Sequence, residues 1–153
     1  MSGIKNIDSM SEFQEVDGLG IMLTLYLGDA AGSEKLYVNI DKVQPGGKSV
    51  KYHSHSLQEE FFLILGGTGT LRLNDEYIPV KKGDFFAKPA GKGIAHQFIN
   101  TGDEVLEILD AGLKVKDDVA YYPDEDIVYI RGQKKVFKQA QALEDWTSEP
   151  NTP

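Results

Sequence analysis

The chain has 153 residues, 41% hydrophobic and 26% charged, which fits one globular domain of ordinary size and argues against a mainly disordered chain. It contains no cysteine, so disulfides, thiolate metal ligands and a cysteine nucleophile are excluded. A net charge of -8 repels a polyphosphate backbone, so nucleic acid is not expected as a partner.

Residues 1–18 are polar and mixed, and form an N-terminal segment. No apolar region of signal-peptide length follows the first residues, and no run approaches the roughly 20 apolar residues of a membrane span. A cytoplasmic location without a membrane partner is expected. Ser9 followed by Glu12 has the spacing of a capping box and predicts a short helix. From Ile21 the pattern changes to alternation. Ile21, Leu23, Leu25 and Leu27 alternate with Met22, Thr24 and Tyr26, then Leu36, Val38 and Ile40 alternate with Tyr37, Asn39 and Asp41, as half-buried strands do. Residues 28–32 read as the connection between them.

Pro45, Gly46 and Gly47 turn the chain into a stretch that supplies His53, His55 and Glu60. On a strand the period of two puts both imidazoles on one face, so they can converge on one ion. A carboxylate a few residues on, Glu60 or its neighbour Glu59, can close a third side. Imidazole and carboxylate together suit zinc, manganese, iron, nickel or copper. Residues 61–65 are a continuous apolar run, suited to a strand covered on both sides. Gly66, Gly67 and Gly69 mark a bend or bulge. Leu71 and Leu73 alternate with Thr70 and Arg72 up to the turn residues Asn74 and Asp75, and 77–80 return as a hairpin whose Pro79 belongs at an edge or bulge. Residues 84–88 form a short strand, 95–100 a strand carrying His96, and 105–110 another. His96 can supply a fourth ligand from a different strand. Short strands separated by Gly, Asp and Pro turns predict an all-β barrel or jelly roll.

These residues resemble the cupin superfamily. Gly47, His53, His55, Glu60 and Gly67 fit its first motif, and Gly83, Pro89, Gly91, His96 and Asn100 fit its second with one departure: four residues rather than two separate Gly91 from His96. The turn is therefore longer than the family pattern, and Gly93 is placed to act as the glycine before the histidine. All of the chain's three histidines fall at motif positions. The resemblance implies a single cupin barrel, a double-stranded β-helix, over residues 19–112. It also implies one divalent metal ion held by His53, His55, Glu60 and His96. Both Glu59 and Glu60 satisfy the family spacing, but the motif glycine opens a Gly-x-Gly, and Gly67-Thr68-Gly69 supplies that only when the ligand is Glu60.

Residues 113–146 form a C-terminal extension, expected to pack on the barrel or on a dimer partner. Val136, Phe137, Ala140, Leu143 and Trp146 recur at three- or four-residue steps and predict a short amphipathic helix. Residues 147–153 are expected to be disordered. Lys51 shares the parity of His53 and His55 and either reaches the barrel mouth, where it would hold an anionic group, or is solvated. Asn100 is expected to stabilise its turn, and Tyr121 and Tyr122 are packing or lid residues. The apolar segments 21–27 and 121–130 favour a homodimer.

The whole chain looks like small bacterial single cupins labelled after sugar-phosphate isomerases. A metal-dependent isomerase acting on a sugar or sugar phosphate is the first expectation. A metal-dependent dioxygenase is the alternative within the enzymes, and a small-molecule binding or sensing module without turnover is the alternative outside them.

Overall fold

The structure, a computed structural model, describes residues 3–17 and 19–146. Among the described residues thirteen strands make up most of the regular secondary structure. In chain order they are β1 (Phe13–Asp17), β2 (Gly20–Tyr26), β3 (Leu36–Val43), β4 (Ser54–His55), β5 (Glu60–Gly66) and β6 (Thr68–Leu73). They continue with β7 (Glu76–Lys81), β8 (Phe85–Lys88), β9 (His96–Ile99), β10 (Leu106–Leu113), β11 (Val119–Tyr122), β12 (Ile127–Ile130) and β13 (Lys135–Lys138). One sheet runs β1-β2-β3-β10-β5-β8, a second runs β7-β6-β9, and a third runs β13-β12-β11-β4. Bridges between Lys48 and Ile99 and between His53 and His96 join the second sheet to the segment that leads into the third. The two faces thus close around one core, the double-stranded β-helix that the resemblance implies.

The core is the inner row of each strand: Met22 and Val43, Phe62 and Ile64, Leu71, Val80, Phe98, Leu106 and Ile108. Alternation along β5 sends Glu60, Phe62 and Ile64 inward and leaves Phe61 exposed. The bend after β5 requires glycine: Gly67 has a φ of +74°, and a Cβ there would stand 2.2 Å from the carbonyl oxygen of Val105. Pro79 sits on β7, the edge of its sheet, where its missing N–H breaks no interior ladder. Gly91 and Gly93 both take positive φ in the lengthened turn before His96.

Three local expectations are corrected. No helix is capped by Ser9: a single 3-10 turn, Ile7–Ser9, is capped by Asn6, whose side chain accepts from the Asp8 backbone N–H. Glu12 instead accepts from Lys42 Nζ at 2.7 Å. Leu27, read as the end of a strand, and residues 28–31, read as part of a connection, form one helical turn, α1 (Leu27–Ala31), stopped by Gly32 in the left-handed region. The C-terminal amphipathic helix does not form. Its first residues are β13, paired with β12, followed by a 3-10 turn, Gln139–Gln141. Val136 and Phe137 suit a strand, and the hairpin ladder satisfies a backbone that so short a helix would hold poorly. The stripe that suggested a helix meets no core: Trp146 is 80% exposed and Leu143 75%. The expectation for residues 147–153 lies outside the described residues. Among the described residues no helix is long and apolar enough to cross a membrane.

Candidate metal centre

The inner ends of β4, β5 and β9 bring three of the sequence-predicted ligands together. Among the described residues, His53, Glu60 and His96 each offer a ligand atom within 4.8 Å of the others, all buried. His55 stands beside them, its Nε2 2.9 Å from His53 Nε2 and 3.3 Å from Glu60 Oε1. Glu59 is exposed and points away, as the strand period demands of the neighbour of a buried Glu60.

The tautomers follow from what each ring touches. His53 Nδ1 lies 2.7 Å from the Lys51 carbonyl oxygen and His55 Nδ1 lies 2.6 Å from Asp118 Oδ2, and neither oxygen can donate. Both rings therefore carry a hydrogen on Nδ1 and turn their Nε2 atoms toward each other. Burial, reinforced by the nearby Lys88 charge, holds the His53 pKa down to about 4, so this ring is neutral at ordinary pH. The neutral His53 ring points its Nε2 lone pair at His55 Nε2 2.9 Å away, so the two ring nitrogens converge on one point. Glu60 Oε2 also accepts no hydrogen bond of good geometry. Convergent imidazole nitrogens and a carboxylate oxygen that accepts no well-formed hydrogen bond are the donor set a divalent ion takes, so the residues fit a metal.

Glu60 is held by its surroundings. Its Oε1 accepts from Tyr37 Oη at 2.9 Å and from Gln58 Nε2 at 3.0 Å. Burial acts to raise its pKa, but the His55 hydrogen bond and the Lys88 charge outweigh that and hold the carboxyl well below its usual range. Asp118 is fully buried and accepts from the backbone N–H groups of Leu57 and Gln58 at 2.9 and 3.1 Å as well as from His55. It orients the His55 ring from the C-terminal extension, so that extension completes the site.

The other sequence candidates divide. Lys51 lines the mouth and pairs with Glu125. Tyr122 stacks on His53 with ring centroids 5.5 Å apart. Asn100 is structural: its side chain donates to the carbonyls of Val43 and Glu104 at 2.7 and 2.8 Å and accepts from the Gly102 N–H. Outside His53 opens a cavity of about 520 Å³, with Lys51, Arg131, Tyr122 and Tyr129 on its walls. Sequence reasoning missed Tyr37, Lys88 and Asp118.

The comparisons with known proteins agree with this fold. A cupin domain matches residues 39–112. A solved structure from Acidithiobacillus ferrooxidans, provisionally named a sugar phosphate isomerase, is 29% identical with a TM-score of 0.85, covering 92% of this chain and 93% of its own. One from Silicibacter pomeroyi, named a sugar phosphate isomerase of the cupin superfamily, is 27% identical with a TM-score of 0.82, covering 95% of this chain and 98% of its own. An uncharacterized protein of Methanocaldococcus jannaschii is 35% identical over 69 residues, and that match spans 45% of this chain and 54% of the relative's length.

Proposed function

Because the chain carries a cupin domain over residues 39–112, we propose that it is a metal-dependent enzyme of the sugar or sugar-phosphate isomerase type, with one divalent ion held by His53, His55, Glu60 and His96. The single observation that carries this reading is the convergence of the His53 and His55 Nε2 atoms, 2.9 Å apart, beside Glu60, with His53 on the wall of an open cavity. Zinc, manganese, iron, nickel and copper all suit the donor set. Bound there, the ion supplies a positive charge that polarises a substrate oxygen.

The protein's own residues do the rest. Asp118 and the Lys51 carbonyl fix the His55 and His53 rings so that their Nε2 atoms aim inward. Tyr37 and Gln58 hold Glu60 by one oxygen and leave the other, which faces the Lys88 ammonium, as the oxygen that would bind the ion. The wall of the cavity carries Lys51 and Arg131 against the one carboxylate of Glu125, which pairs with Lys51, and this net positive lining on a chain of net charge -8 favours an anionic substrate group such as a phosphate. The names borne by the Acidithiobacillus and Silicibacter proteins support sugar phosphates as the first class to test.

The test is elemental analysis of protein purified without chelators, followed by incubation of the metal-loaded protein with aldose and ketose phosphates. Interconversion read by NMR without oxygen uptake is expected. Oxygen uptake with a redox-active metal would replace the isomerase with a dioxygenase, and saturable ligand binding without product would replace both with a binding module. A cytoplasmic location belongs to the same reading.

A homodimer is proposed likewise, with a second copy of the chain as the occupant of the outer face of the six-stranded sheet. Leu36, Phe61, Phe85 and Leu113 stand exposed on it; Leu36 is the register partner of Leu113, and the Phe61 and Phe85 rings are 6.1 Å apart. Closing this uncharged row on itself removes four large apolar side chains from water. Light scattering should give twice the chain mass and Phe85→Asp a monomer; a monomeric native protein would overturn it.

A further inference from the structure

Lys88 is 1% exposed, among the largest side chains fully enclosed by the barrel. Its Nζ stands 2.5 Å from Glu60 Oε2 and 2.7 Å from His96 Nδ1. The backbone fixes this placement, for Lys88 on β8 is the register partner of Glu60 on β5. The oxygen that Lys88 pairs with is the one Tyr37 and Gln58 leave open. Lysine is almost never fully buried without a partner, because the desolvated ammonium needs an opposite charge. Here that charge is the single carboxylate of the metal centre.

One carboxylate cannot serve two cations at once in a site whose other ligands are imidazoles. With Lys88 alone the local charges cancel, whereas an added divalent ion meets an ammonium a few ångströms away in a buried, weakly screened place. We propose that Lys88 is an internal competitor of the metal: its ammonium occupies Glu60 and His96 until the ion displaces it. The residue thereby lowers metal affinity and balances the charge of Glu60 independently of any metal. This inference rests on the metal-centre reading above.

The experiment is equilibrium titration of Co²⁺ and Zn²⁺ into chelator-treated full-length protein, wild type against Lys88→Met and Lys88→Gln. Both variants are expected to bind at least tenfold more tightly, and to melt below the wild type without metal and recover when it is added. Equal or weaker binding by the folded variants overturns the competition while leaving the centre intact. Absence of binding by all three proteins overturns the centre itself, and the competition with it. Should neither variant fold, acylation of wild-type Lys88, mapped by peptide mass spectrometry, is expected to speed up when Zn²⁺ saturates the site; an unchanged rate overturns the proposal.

Discussion

The Tyr37 hydroxyl lies 2.9 Å from Glu60 Oε1 and equally 2.9 Å from Asp110 Oδ1. A phenol has one proton to donate, so it cannot satisfy two ionised carboxylates. The arrangement closes when Asp110 keeps its own proton, donates it to Tyr37 and lets Tyr37 donate to Glu60. The electrostatics agree: burial, then the charges of Asp41 and Glu60, push Asp110 well above the usual carboxylate range, while Glu60 is held below it. Gly112 makes room for this relay, since a Cβ there would stand 2.7 Å from the Tyr37 oxygen.

Tyr37→Phe removes the link and leaves Glu60 with Gln58 as its remaining donor on Oε1. A loss of about 1–3 kcal/mol in stability is expected, with metal affinity falling about 10-fold or more. Chemical denaturation and a metal titration of the same preparation check both. An unchanged affinity would detach Tyr37 from the site.

Asp110 gives a pH signature whose sign is fixed. Its carboxyl is raised in the folded state, so the fold holds a proton that the unfolded chain has released, and stability falls as pH rises from the ordinary value of 3.8 through the folded one. Asp110→Asn removes that loss while its amide can still donate to Tyr37. The variant should therefore melt higher than the wild type by a margin that widens from about pH 4 towards neutrality. A margin that is constant or shrinks with pH contradicts the shared-proton arrangement.

How far the sequence reached is clearest on β3. The alternation of Leu36, Val38 and Ile40 with Tyr37, Asn39 and Asp41 was visible, and a default assignment turns the apolar row towards the core. In the structure Asp41 pairs in register with inward Ile108 and Tyr37 with Gly112, so the polar row faces the interior and the apolar row forms the outer face. A barrel built around a charged site inverts the usual rule, and period alone does not say which row is inside. The histidines and Glu60 were legible because their spacing is itself the signal. Lys88 was not, since a lysine before Pro89 reads as solvated, although its parity with Phe86 was available. Asp118 follows Asp117 in a charged run and acquires its importance only when β11 pairs with β4 beside His55.

Asp118 tests whether the extension completes the centre. Asp118→Ala strips acceptors from the His55 ring and from two backbone N–H groups in one step. Destabilisation of about 3 kcal/mol is expected, along with a loss of metal affinity of about 10- to 100-fold. Asp118→Asn keeps one oxygen and should fall between. If the alanine variant bound metal like the wild type, the His55 orientation would owe nothing to this residue.

The two adjacent glutamates offer the sharpest contrast. Glu60 is 4% exposed and Glu59 lies on the solvent side of the same strand, so the two substitutions make the same chemical change in opposite environments. Glu60→Gln removes the carboxylate charge set among the imidazoles and leaves Lys88 buried without its partner, which costs stability as well as metal binding. Glu59→Gln removes a charge that water already solvates, and surface substitutions of that kind stay within about 0.5 kcal/mol. Metal titration of the two folded variants, with thermal melts run alongside, should therefore give a large loss in both measurements for Glu60→Gln and neither for Glu59→Gln. If the two variants lost metal equally, or if Glu59→Gln lost more, Glu60 would not be the carboxylate ligand and the donor set would have to be redrawn without it.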